Sequence, residues 1–160
     1  MAGISVRLLG DAGAGKTAFL KRHTTGQFEA RYIPTESRSI AVCPVGFQTP
    51  TGRVVYSVWD CAGAERHAPM DWARTDAFMV MFDLGSRLAY KNARWWIERV
   101  RAFSPTVPIL LVGTKSESAS RKLARAQVTL HHEFAIPYVE VSSRSDSKDA
   151  PFEWLQHVRV

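Results

Sequence analysis

Gly10-Asp11-Ala12-Gly13-Ala14-Gly15-Lys16-Thr17 is the stretch that decides the fold. It has the spacing G-x-x-x-x-G-K-[ST], a loop whose backbone N–H groups can cradle phosphates. Ile4 to Leu9 before it reads as a short apolar strand, and Thr17 to Thr25 after it as a helix stopped by Gly26. Glycines let the backbone wrap closely round a polyphosphate, and a following helix N-terminus presents free N–H groups and a positive dipole end. Lys16 would reach the terminal phosphates, and the Thr17 hydroxyl would coordinate Mg²⁺. Asp11, Ala12, Gly13, Ala14, Gly15, Lys16, Thr17 and Ala18 are therefore the first candidate binding residues. The alternative, a glycine-rich turn without a ligand, explains the lysine and threonine less well. A nucleoside triphosphate is the expected ligand.

The chain has 160 residues, of which 46% are apolar, enough for one domain with a real core. The N-terminus enters a strand almost at once, and no stretch approaches membrane-span length, so neither a secretory leader nor a membrane role is expected. Neither a prenylation cysteine nor a polybasic tail is present at Gln156–Val160. Cys43 and Cys61 read as free thiols of a reducing compartment rather than a bridge. The net charge is +6, but the basic residues are scattered without interleaved aromatics. That favours a dispersed basic surface over a dedicated nucleic-acid site.

Strand and helix signals alternate along the chain. Ile40 to Val45 and Arg53 to Trp59 are β-rich runs joined by a hairpin turn over Gln48–Gly52. Ala77 to Asp83 and Ile109 to Gly113 are continuous apolar runs of the kind buried on both faces of a parallel sheet, with Tyr138 to Val141 a shorter one. Helices are expected near Leu88–Phe103, Leu123–Phe134 and Pro151–Val158. In the first, Ser86 is placed as N-cap, with Ala89, Ala93, Trp96, Ile97 and Val100 as the apolar face. This alternation predicts a doubly wound α/β sheet with its ligand at the carboxyl ends of the strands.

Further motifs narrow the choice among phosphate-loop proteins. In Trp59-Asp60-Cys61-Ala62-Gly63-Ala64-Glu65, an Asp ending a strand can hold Mg²⁺ through water, and Gly63 can turn its N–H to a γ-phosphate. Tyr32-Ile33-Pro34-Thr35 offers a loop threonine, Thr35, for the open side of the same metal. Phe28 could flank a purine ring. Thr114-Lys115-Ser116-Glu117 ends a strand where base-reading groups would sit, and Ser142-Ser143-Arg144 ends the next. Adjacent positions on a helix diverge by about 100°, so His131, His132 and Glu133 cannot all face one metal ion.

With these residues in hand, the chain resembles the small GTPases, and within them the Ran family, over nearly its whole length. The resemblance extends beyond the shared motifs to Lys21-Arg22-His23, Thr25-Gly26-Gln27-Phe28-Glu29, Val58-Trp59-Asp60, Met81-Phe82-Asp83, Ser86-Arg87, Tyr90-Lys91-Asn92 with Trp96, and Pro151-Phe152 with Trp154-Leu155. It implies a single GTP-binding domain over residues 1–160 with the phosphate-loop small-GTPase fold. That fold is a six-stranded, mostly parallel sheet with one antiparallel hairpin strand, flanked by about five helices. It also implies GTP and GDP with Mg²⁺ as ligands, importin-type transport receptors, an exchange factor and an activating protein as partners, a monomer, and a place in nucleus and cytoplasm.

The departures from the family pattern are concentrated. The glutamine that orients the attacking water is replaced by Ala64, and a loop glycine by Ala12. Intrinsic hydrolysis in such proteins is already slow, roughly 10⁻⁴ per second, and two losses on one step predict less. Glu65 or His67 orienting the water is the alternative. In the base-reading motif Asn-Lys-x-Asp, Thr114 keeps a hydroxyl without the amide and Glu117 sets its carboxylate one methylene farther out. Lys16, Thr17, Thr35, Asp60 and Gly63 are all retained. This pattern keeps triphosphate capture, weakens base grip and slows hydrolysis, which favours a switch resting in its GTP form. The Ran C-terminal extension is not expected, removing one force toward the GDP form. A GTPase rescued by its activating protein, and a nucleotide-free interaction module imitating Ran, stay open at this point.

Overall fold

The computed structural model describes residues 4–11, 14, 16, 19, 31–35, 38–49, 52–61, 72–142 and 150–158, with backbone alone at 31–35, 38–45, 47–49, 60 and 61. Its strands are β1 (Ile4–Leu9), β2 (Arg31–Thr35), β3 (Arg38–Thr49), β4 (Gly52–Cys61), β5 (Ala77–Asp83), β6 (Ile109–Thr114) and β7 (Tyr138–Glu140). Its helices are α1 (Arg87–Phe103), α2 (Leu130–Glu133) and α3 (Ala150–Gln156). The strands form one sheet in the order β2-β3-β4-β1-β5-β6-β7. From β4 through β1, β5 and β6 to β7 every pairing is parallel. β3 runs antiparallel to β4, and β2 antiparallel to β3.

The central strands owe their place to sequence. β5 and β6 are buried at almost every position, so each can only sit between two covered faces. Alternate residues of β5 serve opposite cores. Ala77, Met79 and Met81 join Phe19, Tyr56, Phe152 and Leu155 on one side; Phe78, Val80 and Phe82 join Trp96, Ile97 and Val100 on the other. The α1 helix starts as expected, the Ser86 hydroxyl accepting from the Ala89 N–H at 3.0 Å, which satisfies one of the four open donors of the first turn. Trp95 lies beneath the Arg99 guanidinium at 5.8 Å, whereas Arg94 turns away to pair with Glu133.

Four expectations need correction. The sheet has seven strands rather than six, because Arg31–Thr35 pairs along β3 from Arg31↔Val42 to Thr35↔Arg38. This edge position tolerates Pro34, which cannot donate to a central ladder. Thr35 consequently ends a strand instead of sitting in a loop. The hairpin turn is tighter than Gln48–Gly52, since the ladder continues to Thr49↔Gly52. Three α-helices lie among the described residues, and the expectation of about five extends to residues outside them. Of the helix expected over Thr17–Thr25, only Phe19 is described, and it is helical.

The helix expected over Leu123–Phe134 is broken into a 3₁₀ turn, Arg125–Gln127, and the single turn α2. Tertiary contacts outcompete its apolar periodicity. The Tyr90 hydroxyl takes the N–H groups of Thr129 (2.7 Å) and Leu130 (3.1 Å), and so starts a new helix there. Gln127 folds back to accept from the Ala124 N–H at 2.8 Å. The turn ends at Ala135, whose φ of 53° is left-handed.

Candidate functional site

The carboxyl ends of the parallel strands gather the chemistry. Gly10 and Asp11 follow β1, Asp60 is paired to Leu8 near the end of β4, Asp83 ends β5, Thr114 ends β6, and Ser142 follows β7. Because β2 and β4 both run antiparallel to β3, Thr35 ends its strand at this same edge of the sheet. Sheet topology thus brings together residues spread over most of the chain.

The phosphate loop is described at Gly10, Asp11, Ala14 and Lys16. Gly10 has a φ of 151°, a conformation that only glycine adopts without strain. From there the chain folds back, and the Ala14 N–H donates to the Asp11 carbonyl at 3.1 Å. The Lys16 side chain is only 6% exposed. Its ammonium donates to the carbonyls of Gly10 (2.7 Å) and Asp11 (3.0 Å). A buried cation is therefore fixed inside a loop that begins at a strand end, which suits a ligand carrying several negative charges. The Asp11 carboxylate turns the other way, toward α1, and accepts from Asn92 Nδ2 at 2.5 Å and Trp96 Nε1 at 3.3 Å.

Thr114 joins the two halves of the site. Its buried hydroxyl donates to the Ala14 carbonyl at 2.8 Å and lies 3.2 Å from the Phe82 carbonyl. The hydroxyl thus ties the loop after β1 to the end of β6. Thr114→Val, which keeps the shape but not the donor, is expected to cost about 1 kcal/mol of stability. Urea denaturation checks this, and an unchanged midpoint contradicts it.

The segment after Thr114 is braced from three sides. Lys115, at φ 60°, pairs with Asp83 Oδ2 at 2.9 Å, while Asp83 Oδ1 accepts from the Gly85 N–H at 2.7 Å. The Ser116 N–H donates to the Val141 carbonyl, and Arg121 donates to the Ser116 carbonyl at 3.2 Å. Arg121 is itself fixed by two hydrogen bonds to Glu140, at 3.0 and 2.7 Å. Burial tends to raise the Glu140 carboxyl, but hydrogen bonds from Arg121 and Tyr138 hold it below the ordinary carboxylate range. Glu117 stands exposed at the end of this braced loop, where it can face a ligand. Ser142, just past β7, is buried.

Asp11, Ala14, Lys16, Thr114, Lys115, Glu117 and Ser142 thus lie at or just beyond the carboxyl ends of the parallel strands, with Thr35 and Asp60 placed at the same edge by their backbones. Ala12, Gly13, Gly15, Thr17, Ala18, Phe28, Gly63, Ala64, Ser143 and Arg144 lie outside the described residues. Sequence reasoning missed Asp83 and Arg121 as braces of the base-side loop. A carboxylate at the end of an apolar strand was the available signal for Asp83. Arg121 offered none, since its role depends on Glu140 across the fold.

A model of the Ras family matches residues 5–157 of this chain. The chain belongs to the Ras family of small GTPases, whose members bind GTP and GDP with Mg²⁺.

Proposed function

From this Ras-family membership, we propose that the chain is a Ran-like GTP-binding switch of nucleocytoplasmic transport that retains Mg·GTP and hydrolyses it very slowly. The observation that carries the reading is the buried Lys16 ammonium, fixed by the Gly10 and Asp11 carbonyls in a loop that Thr114 ties to the base side. The residues present suit the nucleotide: a cation within a glycine-bounded loop for phosphates, and an exposed carboxylate, Glu117, at a braced strand end for the guanine N–H donors. Thr17, Thr35 and Asp60 would hold the magnesium ion, which when bound neutralises charge on the phosphate oxygens.

The chain's own residues then divide the work. Lys16 binds phosphate, and Thr114 keeps the loop in register with the strand that presents Glu117. Ala12 and Ala64 supply no group able to orient water, so bound GTP outlasts the usual intrinsic lifetime. Importin-type receptors are the proposed partners of this GTP form, with a Ran-type exchange factor and activating protein as regulators. The proposed protein is a monomer of nucleus and cytoplasm.

Single-turnover hydrolysis tests the reading. The wild-type protein is expected to cleave GTP more slowly than the roughly 10⁻⁴ per second of active relatives, and Ala12→Gly with Ala64→Gln to raise that rate at least about tenfold. A wild-type rate at or above that of active relatives overturns it. For the transport role, the GTP-loaded protein is expected to bind an importin-type receptor; failure to bind in either nucleotide state removes that part.

A further inference from the structure

The Asp11 carboxylate is the anomaly of the phosphate loop, a negative group one residue into a segment built to hold anions. It is kept in place by two donors more than eighty residues away, Asn92 Nδ2 and Trp96 Nε1. Trp96 is 1% exposed and anchored in the core, so the indole is a rigid post. Asn92 lies one turn earlier on the same helix, half-buried. Residues four apart on a helix lie on one face, and so both donors reach one carboxylate. The backbone of the same residue is equally committed, its carbonyl accepting from the Ala14 N–H and from Lys16 Nζ.

We propose that Asn92, backed by the Trp96 indole, is a positioning residue for nucleotide binding. It holds the Asp11 carboxylate against α1, which keeps that charge out of the anion cradle and aims the Asp11 carbonyl at the Lys16 ammonium. Freed from Asn92, the carboxylate could rotate toward the phosphates or onto Lys16. Either movement opposes the bound anion, since like charges repel and a carboxylate competes for the ammonium. Asn92 touches neither nucleotide nor metal in this role; it acts through Asp11. The inference rests on the chain binding GTP as proposed above.

Release of a fluorescent guanine nucleotide from Mg²⁺-loaded protein, chased by excess GTP, tests it alongside thermal melting. Asn92→Asp sets a second carboxylate against the first and is expected to speed release about tenfold. Adding Asp11→Asn restores a carboxylate–amide pair with the roles reversed, and release should return to within about threefold of wild type. A purely structural role would move the melting temperature without this reciprocal rescue. Should Asn92→Asp fail to fold, Asn92→Ala withdraws the donor without adding charge, with an expected acceleration of about threefold. Unchanged release in a folded Asn92→Asp or Asn92→Ala protein, or a double variant as fast as the single one, overturns the positioning role alone. A wild-type protein that takes up no guanine nucleotide overturns this role and the proposed function together.

Discussion

Lys16→Met is expected to weaken GTP binding by about a hundredfold or more while leaving the protein folded. Methionine is a straight-chain residue of similar length, so the buried channel occupied by the lysine stem stays filled. What is lost is one positive charge, and with it charge-assisted hydrogen bonds to phosphate, each worth about 1.5–3 kcal/mol. The Gly10 and Asp11 carbonyls also lose a donor. Asp11 keeps the Ala14 N–H, so the loop retains part of its internal bonding. Titration with a fluorescent guanine nucleotide measures the effect. Wild-type affinity in a folded Lys16→Met protein would mean that the ammonium braces the loop and does nothing for the ligand.

Gly10→Ala is expected to cost at least about 4 kcal/mol, at the severe end for one substitution. The added Cβ would fall 2.3 Å from the Met81 carbonyl oxygen and 3.3 Å from the Ala14 Cβ. Met81 belongs to β5, which is hydrogen-bonded to β1 on one side and β6 on the other. Its carbonyl cannot retreat without disturbing the centre of the sheet. The φ of 151° adds strain for any residue with a side chain. A domain of ordinary stability, about 5–15 kcal/mol, would have little margin left. Urea denaturation decides the matter, and a midpoint equal to wild type would show that the loop can leave β5 freely.

How much of this could be read from residues alone depended on the range of the forces involved. Ala77–Asp83 and Ile109–Gly113 were legible because a strand buried on both faces has to be apolar throughout, and β5 and β6 follow them closely. The Ser86 cap was legible because it acts within one turn. Leu123–Phe134 was not, since the helix is interrupted by a tyrosine hydroxyl from α1, some forty residues away. Thr35 reads as loop in the sequence because nothing local announces that Arg31–Thr35 has a partner strand to pair with.

The site shows the same division. Lys16 stands out from the spacing of its motif, and the strand ends present Thr114 and Glu117 at the same edge of the sheet. Less visible was what Thr114 does. The sequence marks it as a hydroxyl without the amide donor, but does not show that this hydroxyl holds the Ala14 carbonyl, a backbone atom that no residue pattern reveals. The outward turn of Asp11 is hidden in the same way, because the side chains that hold it come from a helix on the far side of β5 in sequence.

Identifying the nucleotide released when freshly purified protein is denatured tests the central claim most directly. Retained phosphate capture with Ala12 and Ala64 at the hydrolytic positions predicts GTP, close to one per protein and persisting for hours in the presence of Mg²⁺. Bound GDP in its place would contradict the account, because it would mean that the chain hydrolyses GTP without the residues on which its relatives depend.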